Sequence, residues 1–112
     1  MAVTAKTLFE PLQAQNVETT QYVAPAGTRT IIDKFTGTNT TISAATLTVK
    51  LVAFTTVASA TNTIVSAKTL QPGESYTFPE IVGHVLNPGS FISTLAGTAS
   101  AITIRASGRE IS

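Results

Sequence analysis

The sequence predicts an all-β domain, a two-sheet antiparallel β-sandwich, and three observations carry that reading. Residues 46–54 place Leu47, Val49, Leu51 and Ala53 on one face and Thr48, Lys50 and Val52 on the other. A period of two is what a half-buried strand presents, and β-branched Thr and Val suit a pleated surface better than a helix. Turn chemistry recurs as well. Pro25-Ala26-Gly27, Pro72-Gly73 and Pro88-Gly89 each stand before an apolar run, and Pro with a following Gly suits the φ values of tight turns. About seven short apolar runs separated by such signals fit two packed sheets, in a jelly-roll or an immunoglobulin-like order.

In chain order, residues 1–21 read as an N-terminal arm before a sandwich domain of residues 22–112. Leu8, Phe9, Pro11, Leu12 and Val17 lie there among Gln, Asn, Glu and Thr. No period is sustained, so removal of the arm is expected to leave a folded body. Leu8 and Phe9 are its candidate anchors on a neighbouring subunit. Tyr22 and Val23 open the body, and residues 28–35 form a strand. The adjacent Ile31 and Ile32 there call for a bulge or for two covered faces. A Thr/Asn loop over 37–43 leads to the central strand, which neither Pro nor Gly interrupts. Residues 55–61 are small and polar, a turn region, and 62–70 the next strand. After the turn at 71–74 a strand resumes over 76–82, at an edge or interrupted, because Pro79 cannot donate to a ladder. A loop over 83–89 precedes a strand at 91–96. Along the last strand Ile102, Ile104 and Ala106 face inward, with Thr103 and Arg105 outward.

At 112 residues the chain has room for a single core. Cys is absent, which excludes a disulfide framework and a thiolate metal site. The seven Lys and Arg are scattered at Lys6, Arg29, Lys34, Lys50, Lys68, Arg105 and Arg109, for a net charge of +1. Without a basic tract, nucleic acid is not an expected partner. Charged residues make up 12% of the chain, about half the usual share. A surface made polar by Thr and Ser has little colloidal repulsion and suits a protein held in an assembly. No run of about 18 apolar residues predicts a membrane span. The first residues lack the basic and apolar regions of a signal peptide.

Candidate chemistry is sparse. His84, the sole histidine, lies between Gly83 and Val85 with no acidic neighbour and no Cys to complete a metal site. A structural or exposed role is expected for it. Of the six carboxylates, Asp33 stands out because it alternates with Ile31 and Phe35. Facing inward it would need a partner such as Arg105; a register break at Ile31-Ile32 turns it outward, which is the expectation. No phosphate loop, zinc motif, nucleophile elbow or calcium loop occurs, nor does any Ser-His-acid set with positional support. No catalytic residue, metal or cofactor is expected, and the chain does not read as an enzyme. Arg105 and Arg109 bracket Ser107-Gly108, and their forked guanidiniums suit a partner's carboxylates. With Leu8 and Phe9 they are the candidate partner contacts.

Four segments, Val23-Ala24-Pro25-Ala26-Gly27-Thr28, Thr38-Asn39-Thr40-Thr41, Leu70-Gln71-Pro72-Gly73-Glu74 and Ile102-Thr103-Ile104-Arg105-Ala106-Ser107-Gly108, together resemble small β-sandwich structural proteins of tailed bacteriophages. The resemblance is one of composition and turn pattern from Tyr22 onward. It implies a virion component most like a capsid decoration or cement protein, which bridges major capsid protein subunits. Such a component works as a dimer or trimer, or as copies arrayed on a symmetric shell. A neck, tail or fibre component is the alternative it implies. Two other classes have clear requirements. A carbohydrate-binding module needs Tyr22 or Tyr76 flat and exposed, and a hydrolase needs two carboxylates facing across a cleft.

Overall fold

The computed structural model describes residues 2–112. Among them the strands are β1 (Val3–Gln13), β2 (Thr19–Val23), β3 (Arg29–Asn39), β4 (Ala45–Val52), β5 (Thr63–Leu70), β6 (Ser75–Tyr76), β7 (Val85–Leu86), β8 (Phe91–Ala96) and β9 (Ile102–Ile111), with a single 3-10 turn at Ala60–Asn62. They form two antiparallel sheets. One runs β1-β9-β3-β6, with β7 also against β3, and the other runs β2-β8-β4-β5.

β6 and β7 pair with opposite ends of β3, at Thr38 and Gly37 and at Ile31 and Thr30. They are two halves of one broken strand. The chain is therefore a ribbon of antiparallel pairs, β1 with β9, β2 with β8, β3 with β6 and β7, and β4 with β5, wrapped so that successive pairs fall in opposite sheets. That wrapping defines a jelly roll. An immunoglobulin-like order would set the first two strands side by side in one sheet, and here they lie in different sheets.

The core fills the space between the sheets. Phe35 sits edge-on to Phe9 at 5.8 Å and to Phe78 at 5.2 Å between ring centres. Around them Ile32, Leu47, Val49, Leu70, Ile92, Ile102 and Ile104 are closed off from solvent. The alternation along β9 holds, with Ile102, Ile104 and Ala106 all buried. The Pro-Gly turns also form as their chemistry demands. Gly27, Gly73 and Gly89 take φ of +72°, +75° and +85°. Their closing bonds run from the amides of Thr28, Glu74 and Ser90 to the carbonyls of Pro25, Gln71 and Asn87.

Elsewhere the structure departs from simple alternation, each time for a local reason. The segment expected as an arm is drawn into the sandwich. β1 lies along β9 from Val3 opposite Ile111 to Gln13 opposite Thr103, and Leu8 and Phe9 belong to the core. These neighbours are both buried because the register shifts between Thr7 and Phe9. A bulge puts consecutive residues on one face and erases the period that marks a strand. The Thr/Asn segment continues β3 to Asn39 instead of looping. The strand expected over 76–82 stops at Tyr76. Phe78 takes φ of +45°, and its carbonyl accepts from the amides of Ile81 and Val82 at 2.9 and 3.3 Å, turning the chain around Pro79. In β4, Leu47 and Val49 are buried as expected, but Leu51 is half-buried, Ala53 exposed and Val52 enclosed. The pairing of β4 with β5 shifts between Val49 and Lys50, so the facing changes just where the strand ends.

Candidate functional site

The surfaces that could meet a partner are the sheet faces and the ends. On the β1-β9-β3 sheet the register of β3 shifts between Ile32 and Lys34, one residue past the predicted break, and Asp33 turns outward. Arg109 grips it with a fork, Nε to Oδ2 and Nη2 to Oδ1, both at 3.0 Å. The partner of Asp33 is thus Arg109 and not Arg105. The hydrogen bond and charge of Asp33 hold the Arg109 pKa above its usual value. Both side chains are open to water, at 48% and 40% exposure, so the pair adds little stability. Gly108 lies opposite this bulge, where any Cβ would run into the Ile31 carbonyl. Arg105 is exposed, and its Nη2 lies 3.4 Å from Thr7 Oγ1. Of the expected contact residues, the two arginines share one outer face and Leu8 and Phe9 are inside.

Two polar clusters tie the strands together. Tyr22 on β2 donates its hydroxyl to Glu110 Oε2 at 2.5 Å and lies 2.7 Å from Thr30 Oγ1, while Lys6 Nζ is 3.4 Å from the same carboxylate. This bolt joins one sheet to the other. Burial and the bond to Glu110 push the Tyr22 hydroxyl up to about 12, against the smaller opposing effect of Thr30. On the second sheet Glu18 accepts from Ser93 Oγ at 2.6 Å and from Lys50 Nζ. Burial raises the Glu18 pKa, but these two bonds and the Lys50 charge outweigh it and leave it below the ordinary carboxylate value.

None of this assembles into catalysis. Asp33, Glu18 and Glu110 are engaged as described, Glu80 accepts from Tyr76 at 2.9 Å, and Glu74 accepts from the Gln71 amide. No two of them share a hydrogen-bond partner. His84 is exposed. Among the described residues no group of three His, Cys, Asp or Glu could hold a metal ion, and no helix is long and apolar enough to cross a membrane. The tyrosines do not offer sugar platforms either. Tyr22 is buried, and Tyr76 has Lys68 Nζ 4.5 Å over its ring and Phe78 edge-on at 4.8 Å.

The remaining feature is an apolar end, missed because residues 55–61 read as a polar turn. Three loops meet there, 24–28, 53–62 and 87–90. Val23, Ala24, Pro25, Ala26, Gly27, Pro88 and Gly89 line an open groove with Phe54 as one wall. Phe54 is 65% exposed and Val57 77%. The sequence signal was an aromatic and a valine in a loop with no charged residue.

The fold and these surfaces define a class: a jelly-roll block with no metal constellation among the described residues. No protein-family model and no curated protein matches the chain. Solved structures do. A chain of the T13 IBDV viral particle superposes over 97% of this chain and 30% of its own length, with a TM-score of 0.59 at 12% identity. A chain in the structure of infectious bursal disease virus, Gt strain, does so over 97% and 32%, with a TM-score of 0.54 at 14% identity. The chain thus spans about a third of the length of the proteins it matches, and what it shares with them is the fold.

Proposed function

We propose that this chain is a non-enzymatic structural protein of a virus particle, a rigid jelly-roll block that joins other virion proteins. The observation that carries the reading is the wrapped strand order, matched over 97% of the chain by chains from a viral particle. The absence of assembled chemistry among the described residues is consistent with it. The finer reading is a decoration or cement role, bridging major capsid protein subunits. Its mechanism is mechanical. Contacts too weak to last singly become durable when many copies engage a symmetric shell. Arg105, on the outer face with only a long contact to Thr7, is the cationic contact offered to a partner's carboxylates. Arg109 on the same face is held by Asp33 and would have to exchange that partner.

Immunoelectron microscopy on purified particles of the virus encoding the chain tests both levels. Label spread over the shell supports decoration. Label confined to one vertex, a tail or fibres replaces decoration with the neck, tail or fibre reading. Particles that lack the chain by mass spectrometry overturn the virion assignment altogether.

A further inference from the structure

We propose that the apolar end is a self-association surface, which docks against the same end of a second copy of this chain. The surface carries both halves of a fit. Phe54 projects from residues 53–62, and beside it lies the groove lined by Val23, Pro25, Ala26, Pro88 and Gly89. A two-fold contact requires that knob and socket lie on one patch, so that each copy fills the other. Phe54 is also pre-set. Gly89 has no side chain, the ring lies in the space a Cβ would occupy, and the positive φ of the turn is one that glycine adopts freely. An aromatic held in place before contact loses little freedom on binding and makes an interface anchor.

Charge points the same way. Residues 53–67 and 85–104 contain no charged side chain, and neither do 23–28. Like charges facing across a two-fold axis, a common barrier to self-association, are absent from the groove. The sheet edges, in contrast, are blunted against pairing. β1 carries two register shifts and Pro11, β2 shifts between Thr20 and Tyr22, β5 is kinked by Ala67 at φ +47°, and the fourth edge is broken between β6 and β7. Bulges, prolines and short strands are how sheets avoid edge-to-edge addition. The groove beside Phe54 is instead an apolar surface at the end of the sandwich, away from those edges.

An end-on contact uses the narrow cross-section of a body measuring 46 × 26 × 19 Å. That cross-section, about 500 Å² from the two shorter extents, falls below the roughly 800 Å² per partner of a standard interface. The dimer is accordingly weak and concentration-dependent. The proposal goes beyond the virion reading and stands without it, since it concerns only two copies of this chain.

Sedimentation velocity on the full chain over a wide concentration range is the test, with Phe54→Asp and Ala26→Lys as independent variants. Ala26 is exposed in its turn, so its variant keeps the fold if Phe54→Asp does not. The expected result is a reversible dimer whose dissociation constant rises about 30-fold or more in either folded variant, as on loss of an interface anchor. Arg105→Glu, on the sheet face, leaves the dimer unchanged. A monomer at every concentration overturns the proposal, as does a dimer indifferent to Ala26→Lys, or a closed trimer or larger ring.

Discussion

The two ends of the sandwich are closed by opposite means. At one, residues 14–18, 40–44, 71–74 and 97–101 are laced by polar bonds around a single buried side chain. Asn39 Nδ2 donates to the carbonyls of Ser43 and Leu70 at 2.8 and 3.0 Å, and its Oδ1 accepts from the Thr41 amide and hydroxyl. Backbone bonds add to the lacing, Thr40 to Ala101, Gly73 to Asn39 and Ala14 to Ile102. At the other end, loops 24–28 and 87–90 are joined by two backbone bonds between Ala24 and residues 89 and 90. Loop 53–62 bonds within itself, through Asn62 to Ser59 and Val57, and reaches its neighbours through the Phe54 ring on Gly89. One end satisfies its polar groups internally. The other builds an open apolar groove walled by Phe54, whereas the laced end exposes Val17 and Ile42 from its loops. A contiguous apolar patch on a surface with little charge is what contact sites are made of.

The harshest way to break this comparison is to remove the strand that spans both ends. Truncation of residues 1–13 unpairs one side of β9 and empties the places of Leu8 and Phe9, where cutting back one buried Phe to Ala alone costs about 3–5 kcal/mol. Against a typical total of about 5–15 kcal/mol, the truncated chain is expected to lose its cooperative thermal transition by circular dichroism. A retained sharp melt would restore the arm reading. At the polar end, Asn39→Ala strands the buried Leu70 carbonyl and should lower stability by about 2 kcal/mol, seen as a shifted midpoint in chemical denaturation with unchanged slope. An effect near zero would mean water replaces the amide.

At the apolar end, Gly89→Ala meets the Phe54 ring as well as a positive φ, whereas Gly27→Ala meets only the φ, with open space around it. Expected costs are about 2 and about 1 kcal/mol, and the difference measures the Phe54 contact. Equal costs would show the ring free to move. Tyr22→Phe removes the bolt for about 1 kcal/mol at neutral pH, and pH sharpens the test. The fold holds the Tyr22 proton more tightly than the unfolded chain does. Its contribution is therefore complete below the unfolded value of about 10, and it is lost as pH rises through the folded value of about 12. The wild type should weaken over that window relative to the variant; parallel curves would place the proton elsewhere. Smallest of all, Phe54→Ala should cost under about 1 kcal/mol in the monomer, because the ring is largely exposed. A large loss would make it a core residue and not a contact one.

Local chemistry made much of the fold legible. The Pro-Gly turns at Pro25, Pro72 and Pro88, the inward face of β9 and the buried Leu47 and Val49 follow from φ restriction and a period of two, which neighbours in sequence decide. The register break that the adjacent isoleucines predict does turn Asp33 outward, although its partner Arg109 lies on another strand. The candidate site was much less legible, because Phe54 and the groove at Pro25 and Pro88 come together only when three loops meet.

By itself, then, the sequence determined the fold class, the turns and the poverty of reactive groups, since each is written in short windows of residue type and spacing. Only the tertiary structure decided that residues 3–13 are a sheet strand, that the order is a jelly roll, and that three loops build an apolar groove at one end. Bulges reset the face of a strand without leaving a mark in its composition. Strand order depends on partners dozens of residues apart, and an exposed patch exists only once those partners have met.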